Sequence, residues 1–236
     1  IKSKKIEYAE TAKIFENVYR SVNIALVNEL KIIYDAMGID VWEVIEGAST
    51  KPFGYMPFFP GPGLGGHCIP IDPFYLSFKA KEYGVPTKFI ELAGEINTKM
   101  PEYVISKLKE SLSTYSKIDI KDSKILVIGA AYKKNVDDMR ESPSLVLMRS
   151  LLNLNADVDY YDPFVPIIPP SREYIELTGM KGIKSLSKSI NTYDAVIIST
   201  DHDCIDYDLI GEYANLILDT RNAMKFHQSK AKIIKA

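Results

Sequence analysis

Cysteine, histidine and tryptophan are scarce in this 236-residue chain, at two, three and one. Two cysteines, Cys68 and Cys204, are too few for a disulfide framework or a structural zinc site. A reducing, cytoplasmic setting is expected. His67 and His202 stand apart from other ligating residues, so no metal is expected. No apolar run approaches the roughly twenty residues that span a bilayer. The formal net charge of −2 offers nothing to nucleic acid or an anionic membrane. No strand runs into a Gly-x-Gly-x-x-Gly turn with an acidic residue further on, so the usual dinucleotide fingerprint is absent. There are no internal repeats. The chain opens on Ile1 rather than Met, shows no leader there, and reads as truncated.

What is present suffices for a folded protein. Apolar residues make up 46% and charged residues 25%, enough for a proper core in one large domain or two small ones. Residues 8–36 carry apolar side chains at Ala12, Phe15, Val18, Tyr19, Val22, Leu26, Leu30 and Ile33, a helical spacing, with Gly38 as the stop. A helix of about thirty residues is ~45 Å long at 1.5 Å per residue, longer than a small domain, so part of it should meet a partner subunit. Further helices are expected over 40–47, 74–83, 87–98 and 101–112. The second half changes period. Lys124–Gly129, Asp157–Tyr161, Tyr193–Thr200 and Asn215–Leu218 read as buried parallel strands, with a helix over 144–154. The expected architecture is mixed: an all-α domain over 1–112, a linker at 113–122, and an α/β domain with a parallel, Rossmann-like sheet over 123–236.

Cys68 is the most informative residue. Of thirteen glycines, five fall between Gly54 and Gly66, and of thirteen prolines, six fall between Pro52 and Pro73. That density speaks against a helix or a central strand, so the thiol is expected on a tight loop. Asp72 follows four residues later. A thiol, a carboxylate and bare backbone amides suit covalent chemistry at a carbonyl carbon. A free cysteine is also commonly a small buried hydrophobe.

Other candidates are dispersed. Lys13 and Asn17, four apart, share one helix face as possible oxyanion donors, or form an ordinary solvated edge. After the first strand, Gly129 stands alone where a dinucleotide fold binds pyrophosphate. Lys133, Lys134 and Arg140 in that loop suit a diphosphate, or form a charged surface. Arg221 follows the last expected strand, at the edge where ligands gather. Cys204 lies among carboxylates, which disfavour a thiolate.

Several of these segments resemble, in order, the nucleotide-sugar 6-dehydrogenases of the UDP-glucose/GDP-mannose dehydrogenase family. Ala9 to Asn17 resembles the start of the family's central helix, and Gly65-Gly66-His67-Cys68-Ile69-Pro70-Ile71-Asp72-Pro73 its nucleophile loop. Tyr132 to Pro143 and Asp219-Thr220-Arg221 resemble its nucleotide-sugar domain. The loop is most similar to the UDP-N-acetylglucosamine branch, with UDP-N-acetylmannosamine close behind. The resemblance implies oxidation of a sugar C6 alcohol to a carboxylate with two NAD per turnover, in polysaccharide biosynthesis. Cys68 would form the thiohemiacetal and thioester, Asp72 would activate water, and Lys13 and Asn17 would steady the C6 oxygen. Pro57, Phe58, Phe59, Pro60, Gly61, Gly65, Lys133 and Arg221 would hold the UDP-sugar, and Arg140 would reach the cofactor. The long helix would make a homodimer. The family's N-terminal NAD domain is not in this sequence, so the chain alone is expected to be inactive. Some members carry Lys where this chain has Ile71, which leaves any cofactor contact of that lysine without a counterpart. A β-hydroxyacid-type dehydrogenase fragment would not need the Cys68 segment; a non-catalytic UDP-sugar-binding and dimerisation module would carry an inert thiol.

Overall fold

The computed structural model describes residues 5–236, so the Ile1 opening lies outside the described residues. The chain divides into two compact units, Ile1–Pro60 with Gly66–Lys99, and Gly61–Gly65 with Met100–Ala236. Six α-helices and five strands are formed among the described residues.

The first unit is helical. Helix α1 (Ile6–Ala36) runs unbroken because no Gly or Pro interrupts it, and it ends as Gly38 turns to φ +71°. Its packed side differs from the expected one. Asn17, Ser21, Ala25, Asn28 and Lys31 are buried, whereas Phe15, Tyr19, Leu26 and Ile33 of the apolar stripe are exposed. The buried polar side is tolerated because it is bonded. Asn28 Nδ2 donates to Asn97 Oδ1 at 2.9 Å, and Asn97 Nδ2 donates to the Ser21 carbonyl at 3.0 Å. Helix α2 (Val41–Ser49) is capped by Asp40, which accepts the Trp42 amide at 2.9 Å. The apolar core here is small: Val27, Val41 and Ile45, backed by Tyr34, Trp42 and Phe58.

Two helix boundaries overturn the expectations. Helix α3 spans Cys68–Glu82, so Cys68 opens a helix instead of sitting within a loop. Pro70 falls in the first turn, where amides have no helical acceptor and the missing N–H costs nothing. Pro73 lies deeper and forgoes one backbone bond, yet it is buried and the helix continues. Helix α4 spans Lys88–Ser111 as one element, where a break before Pro101 had been expected. Met100 is buried, and packing there outweighs the reluctance of a pre-proline residue to stay helical. The division between units falls at this point, between Lys99 and Met100.

The second unit is built on strands β1 (Lys124–Ile128), β2 (Asp157–Tyr161), β3 (Ala195–Ile198), β4 (Leu216–Asp219) and β5 (Lys232–Lys235). All four pairings are parallel, in the order β2-β1-β3-β4-β5. Apolar runs form the central strands because both faces are covered. Ile125 and Val127 enter one core with Leu108, Leu112, Leu147 and Leu151, the last two on helix α5 (Pro143–Asn153). Leu126 and Ile128 enter the other with Tyr207 and Ile210 of helix α6 (Tyr207–Tyr213). This is a doubly wound, Rossmann-like sheet. The order reverses between β1 and β3, which places a ligand crevice beyond their carboxyl ends. The segment from Leu112 to Asp122 holds a short π turn and a 3₁₀ turn.

Candidate active site and nucleotide-binding loops

In the first unit the chemistry-bearing residues lie on α1 and α3. Cys68 is the first residue of α3 and is exposed. Asp72 stands one turn on, on the same side of the helix. Asn17, at 0% exposure, donates from Nδ2 to Asp72 Oδ2 at 2.7 Å across 55 residues of sequence. Arg20 Nη1 donates to Asn17 Oδ1 at 3.0 Å, which fixes the orientation of the amide. Lys13 is not brought to this pair. It is exposed and ion-paired to Glu16 at 3.1 Å, and Arg20 also reaches Glu16. Those two cations hold the Glu16 carboxyl below its ordinary value, the Lys13 bond first. Pro57 and Phe59 are exposed and Pro60 is buried. Phe59 stacks on Trp42 with ring centroids 5.6 Å apart, and Phe58 meets Tyr19 edge-on at 5.7 Å.

In the second unit the residues gather at the carboxyl edge of the sheet. Gly129 leaves β1 at φ +84°, where a Cβ would lie 2.5 Å from Thr200 Cβ and 2.6 Å from its carbonyl oxygen. Only glycine allows β1 and β3 to end so close together. Arg221 Nε donates to the Ser199 carbonyl at 2.8 Å, and its guanidinium lies against Gly61, where a Cβ would come within 2.6 Å of Nη1. Gly65 lies as tightly against Tyr132 and the Glu141 carbonyl. Gly61–Gly66 spells Gly-x-Gly-x-x-Gly in letters, but no strand precedes it. Lys133 is exposed and carries no ion pair among the described residues, whereas Lys134 Nζ is held by Asp203 Oδ1 at 3.0 Å. Arg140, assigned to the cofactor by resemblance, turns on to Asp138 at 2.6 Å.

Two buried aspartates organise this edge, and sequence reasoning gave neither a role of its own. Asp162, after β2, accepts the amides of Ala130 (2.7 Å), Ala131 (2.9 Å), Phe164 (2.8 Å) and Val165 (3.1 Å), and pairs with His202 Nε2 at 3.0 Å. Burial pushes its carboxyl up, but His202 and the amides outweigh that and hold it below its ordinary value. Asp219, ending β4, accepts the amides of Arg221, Ala223 and Met224 at 2.8–3.1 Å. There burial prevails and the carboxyl is raised. The available signal was an aspartate at the end of an apolar strand run, as in Tyr161-Asp162-Pro163 and Leu218-Asp219-Thr220.

Residues 7–99 match the central domain of the UDP-glucose/GDP-mannose dehydrogenase family, and residues 126–226 match its UDP binding domain. The chain belongs to this family. Among its relatives is the UDP-N-acetyl-D-mannosamine dehydrogenase of Methanococcus maripaludis, 38% identical over 225 residues, covering 92% of this chain and 48% of that protein. The UDP-N-acetyl-D-glucosamine 6-dehydrogenase of Pseudomonas aeruginosa is 37% identical over 202 residues, covering 85% and 46%. The solved structure of the UDP-D-ManNAc dehydrogenase of Pyrococcus horikoshii superposes with a TM-score of 0.81 at 34% identity, over 96% of this chain and 51% of that one. The chain thus spans about half the length of the curated relatives it matches. No helix among the described residues is long and apolar enough to cross a membrane.

Proposed function

We propose that this chain carries the thiol chemistry and the UDP-binding part of an NAD-dependent dehydrogenase that oxidises C6 of a UDP-N-acetylhexosamine to the uronic acid, with UDP-N-acetylglucosamine the favoured epimer on the resemblance of its loop. The observation that carries this reading is the bond from buried Asn17 to Asp72, one helical turn from the exposed sulfur of Cys68. The relatives, which are dehydrogenases of UDP-N-acetylated sugars, support it.

Members of this family take NAD as hydride acceptor. The Ala130 and Ala131 amides, where a pyrophosphate would bind after β1, are already held by Asp162 and do not fit it. The hydride acceptor is therefore assigned to the half of the family's length that this chain does not span. The chain's own share is the sulfur and water chemistry. Cys68 Sγ adds to the aldehyde carbon and retains it as a thiohemiacetal and, after oxidation, as a thioester. Water then adds to the thioester carbon, the C–S bond breaks, and the carboxylate leaves. Asp72, oriented by Asn17, positions that water and takes its proton. Lys13 serves the C6 oxygen only if it leaves Glu16. In the second unit, Lys133 meets the phosphates and Arg221 the sugar nucleotide. The exposed stripe of α1 supports a second copy of the chain as its cover.

The test uses full-length enzyme with UDP-N-acetylglucosamine or UDP-N-acetylmannosamine. Acid-quenched wild type should carry a hexuronyl adduct on the Cys68 peptide by mass spectrometry. Cys68→Ser should stall at the aldehyde or ester stage with at least one epimer. Unaltered uronate production by Cys68→Ser sinks the proposal.

A further inference from the structure

We propose that His202 is a positioning residue for substrate binding, latching the loop that presents Lys133. This rests on the reading of Lys133 as a phosphate ligand. His202 is fully buried and has a partner on each ring nitrogen. Nδ1 accepts the Asn135 amide at 2.9 Å, so it carries no proton. The proton therefore sits on Nε2, which donates to Asp162 at 3.0 Å. Asp162 in turn holds the Ala130 and Ala131 amides. Both ends of the segment 130–135 are thus tied to one imidazole–carboxylate pair, and Lys133 lies between them.

The far end of the latch is reinforced. Asn135 adopts φ +62°, a conformation that Asn tolerates better than most residues but that still needs support. Its Nδ2 donates to Asp203 Oδ2 at 2.6 Å, and its Oδ1 accepts the Asp203 amide at 3.1 Å. Lys134 is bonded to the same carboxylate. Of two adjacent lysines, Lys134 is taken up by the latch, while Lys133 is exposed and has no ion pair among the described residues. The imidazole packs against the Phe164 ring, with centroids 5.0 Å apart, and the His202 backbone is held by Tyr207, whose hydroxyl donates to the His202 carbonyl at 3.3 Å. An apolar side chain would fill this space, but only a group with an acceptor on one side and a donor on the other joins Asn135 to Asp162.

The experiment measures KM and kcat of full-length enzyme for its UDP-sugar, with amide hydrogen exchange over residues 130–136. His202→Gln keeps a polar group towards Asp162 but loses the acceptor for Asn135. His202→Asn keeps an acceptor where Nδ1 stands. We expect His202→Gln to raise KM about tenfold with kcat nearly unchanged and to speed exchange in the loop, and His202→Asn to restore most of the KM. In a Lys133→Ala background, His202→Gln should add little, because both changes act through one contact. Faster exchange with unaltered KM, or additive effects, overturns the latch and leaves Lys133 as a ligand if Lys133→Ala alone raises KM. An unaltered KM in Lys133→Ala overturns the ligand reading and the latch with it. If the His202 variants do not fold, Asp203→Ala, on the exposed side of the same latch, should raise KM about threefold; no rise overturns the proposal.

Discussion

Replacing Asn17 with Asp is the sharpest perturbation of the first unit. The change is nearly isosteric, and it sets a second carboxylate 2.7 Å from Asp72 Oδ2, at a position with no exposure. Two unit charges at that separation repel by about 6 kcal/mol at an effective dielectric of about 20, an upper figure because Arg20 Nη1, 3.0 Å from the Asn17 amide oxygen, offsets part of it. The pair escapes by binding one proton and sharing it. At pH 7 the cost is then capped by protonating a carboxyl whose ordinary value is near 3.9, about three units at 1.36 kcal/mol each, or roughly 4 kcal/mol. At pH 5 the same arithmetic leaves about 1.5 kcal/mol. The sign follows from linkage: the shared proton raises the folded-state value above the unfolded one, so the variant loses stability as pH rises and regains it as pH falls. Asn17→Ala instead leaves Asp72 without its donor and should cost about 1–3 kcal/mol with little pH dependence. Trp42 is the only tryptophan of the chain and lies in α2, so its fluorescence in urea follows this unit. An Asn17→Asp penalty that is flat with pH, or absent, would refute the pairing.

Four other outcomes are expected. Gly61→Ala should push the Arg221 guanidinium aside and weaken UDP binding about tenfold by calorimetry while stability holds, because the atom struck ends a flexible side chain. Gly65→Ala strikes Tyr132 Cβ and the Glu141 carbonyl, which cannot retreat, and should lower stability by about 1–3 kcal/mol. Asp162 is held below its ordinary 3.8, so its contribution is present above that value and fades as pH falls through the folded one; Asp162→Asn should lower neutral stability and flatten acid unfolding below about pH 4, followed by tyrosine circular dichroism. Leu26→Glu, on the exposed side of α1, should shift the sedimentation of the full-length enzyme towards monomer; an unchanged mass would exclude that helix as the interface.

Much of the second unit was legible because a parallel sheet writes its central strands as continuous apolar runs. Ile125–Ile128 and Ala195–Ile198 are such runs, and both fall within the expected boundaries. Strand β5, Lys-Ile-Ile-Lys, has only two apolar residues between lysines, and the seven-residue α6 is too short to show a period. Proline misled twice. Its cost depends on where in the helix it falls and on what it packs against, and the sequence of Cys68–Pro73 or of Met100-Pro101 displays neither. Cys68, Asp72 and Arg221 were nominated because residue type alone carries a signal there. Lys13 and Asn17 share a helix face, yet only Asn17 meets Asp72; spacing along a helix says nothing about which neighbour a side chain turns towards. His202 was weighed only as a metal ligand and Asp162 was given no role, because their mutual bond spans 40 residues and their other partners are backbone amides, which every residue has.

The uniform direction of the five strands has a practical corollary. Turns at the opposite rim, such as Asn155-Ala156 and Ala214-Asn215, feed the strands at their starts and stand a full strand length from Arg221 and Lys133. That rim is the place to graft a fluorophore, an affinity tag or a foreign peptide, away from the residues proposed to bind uridine diphosphate.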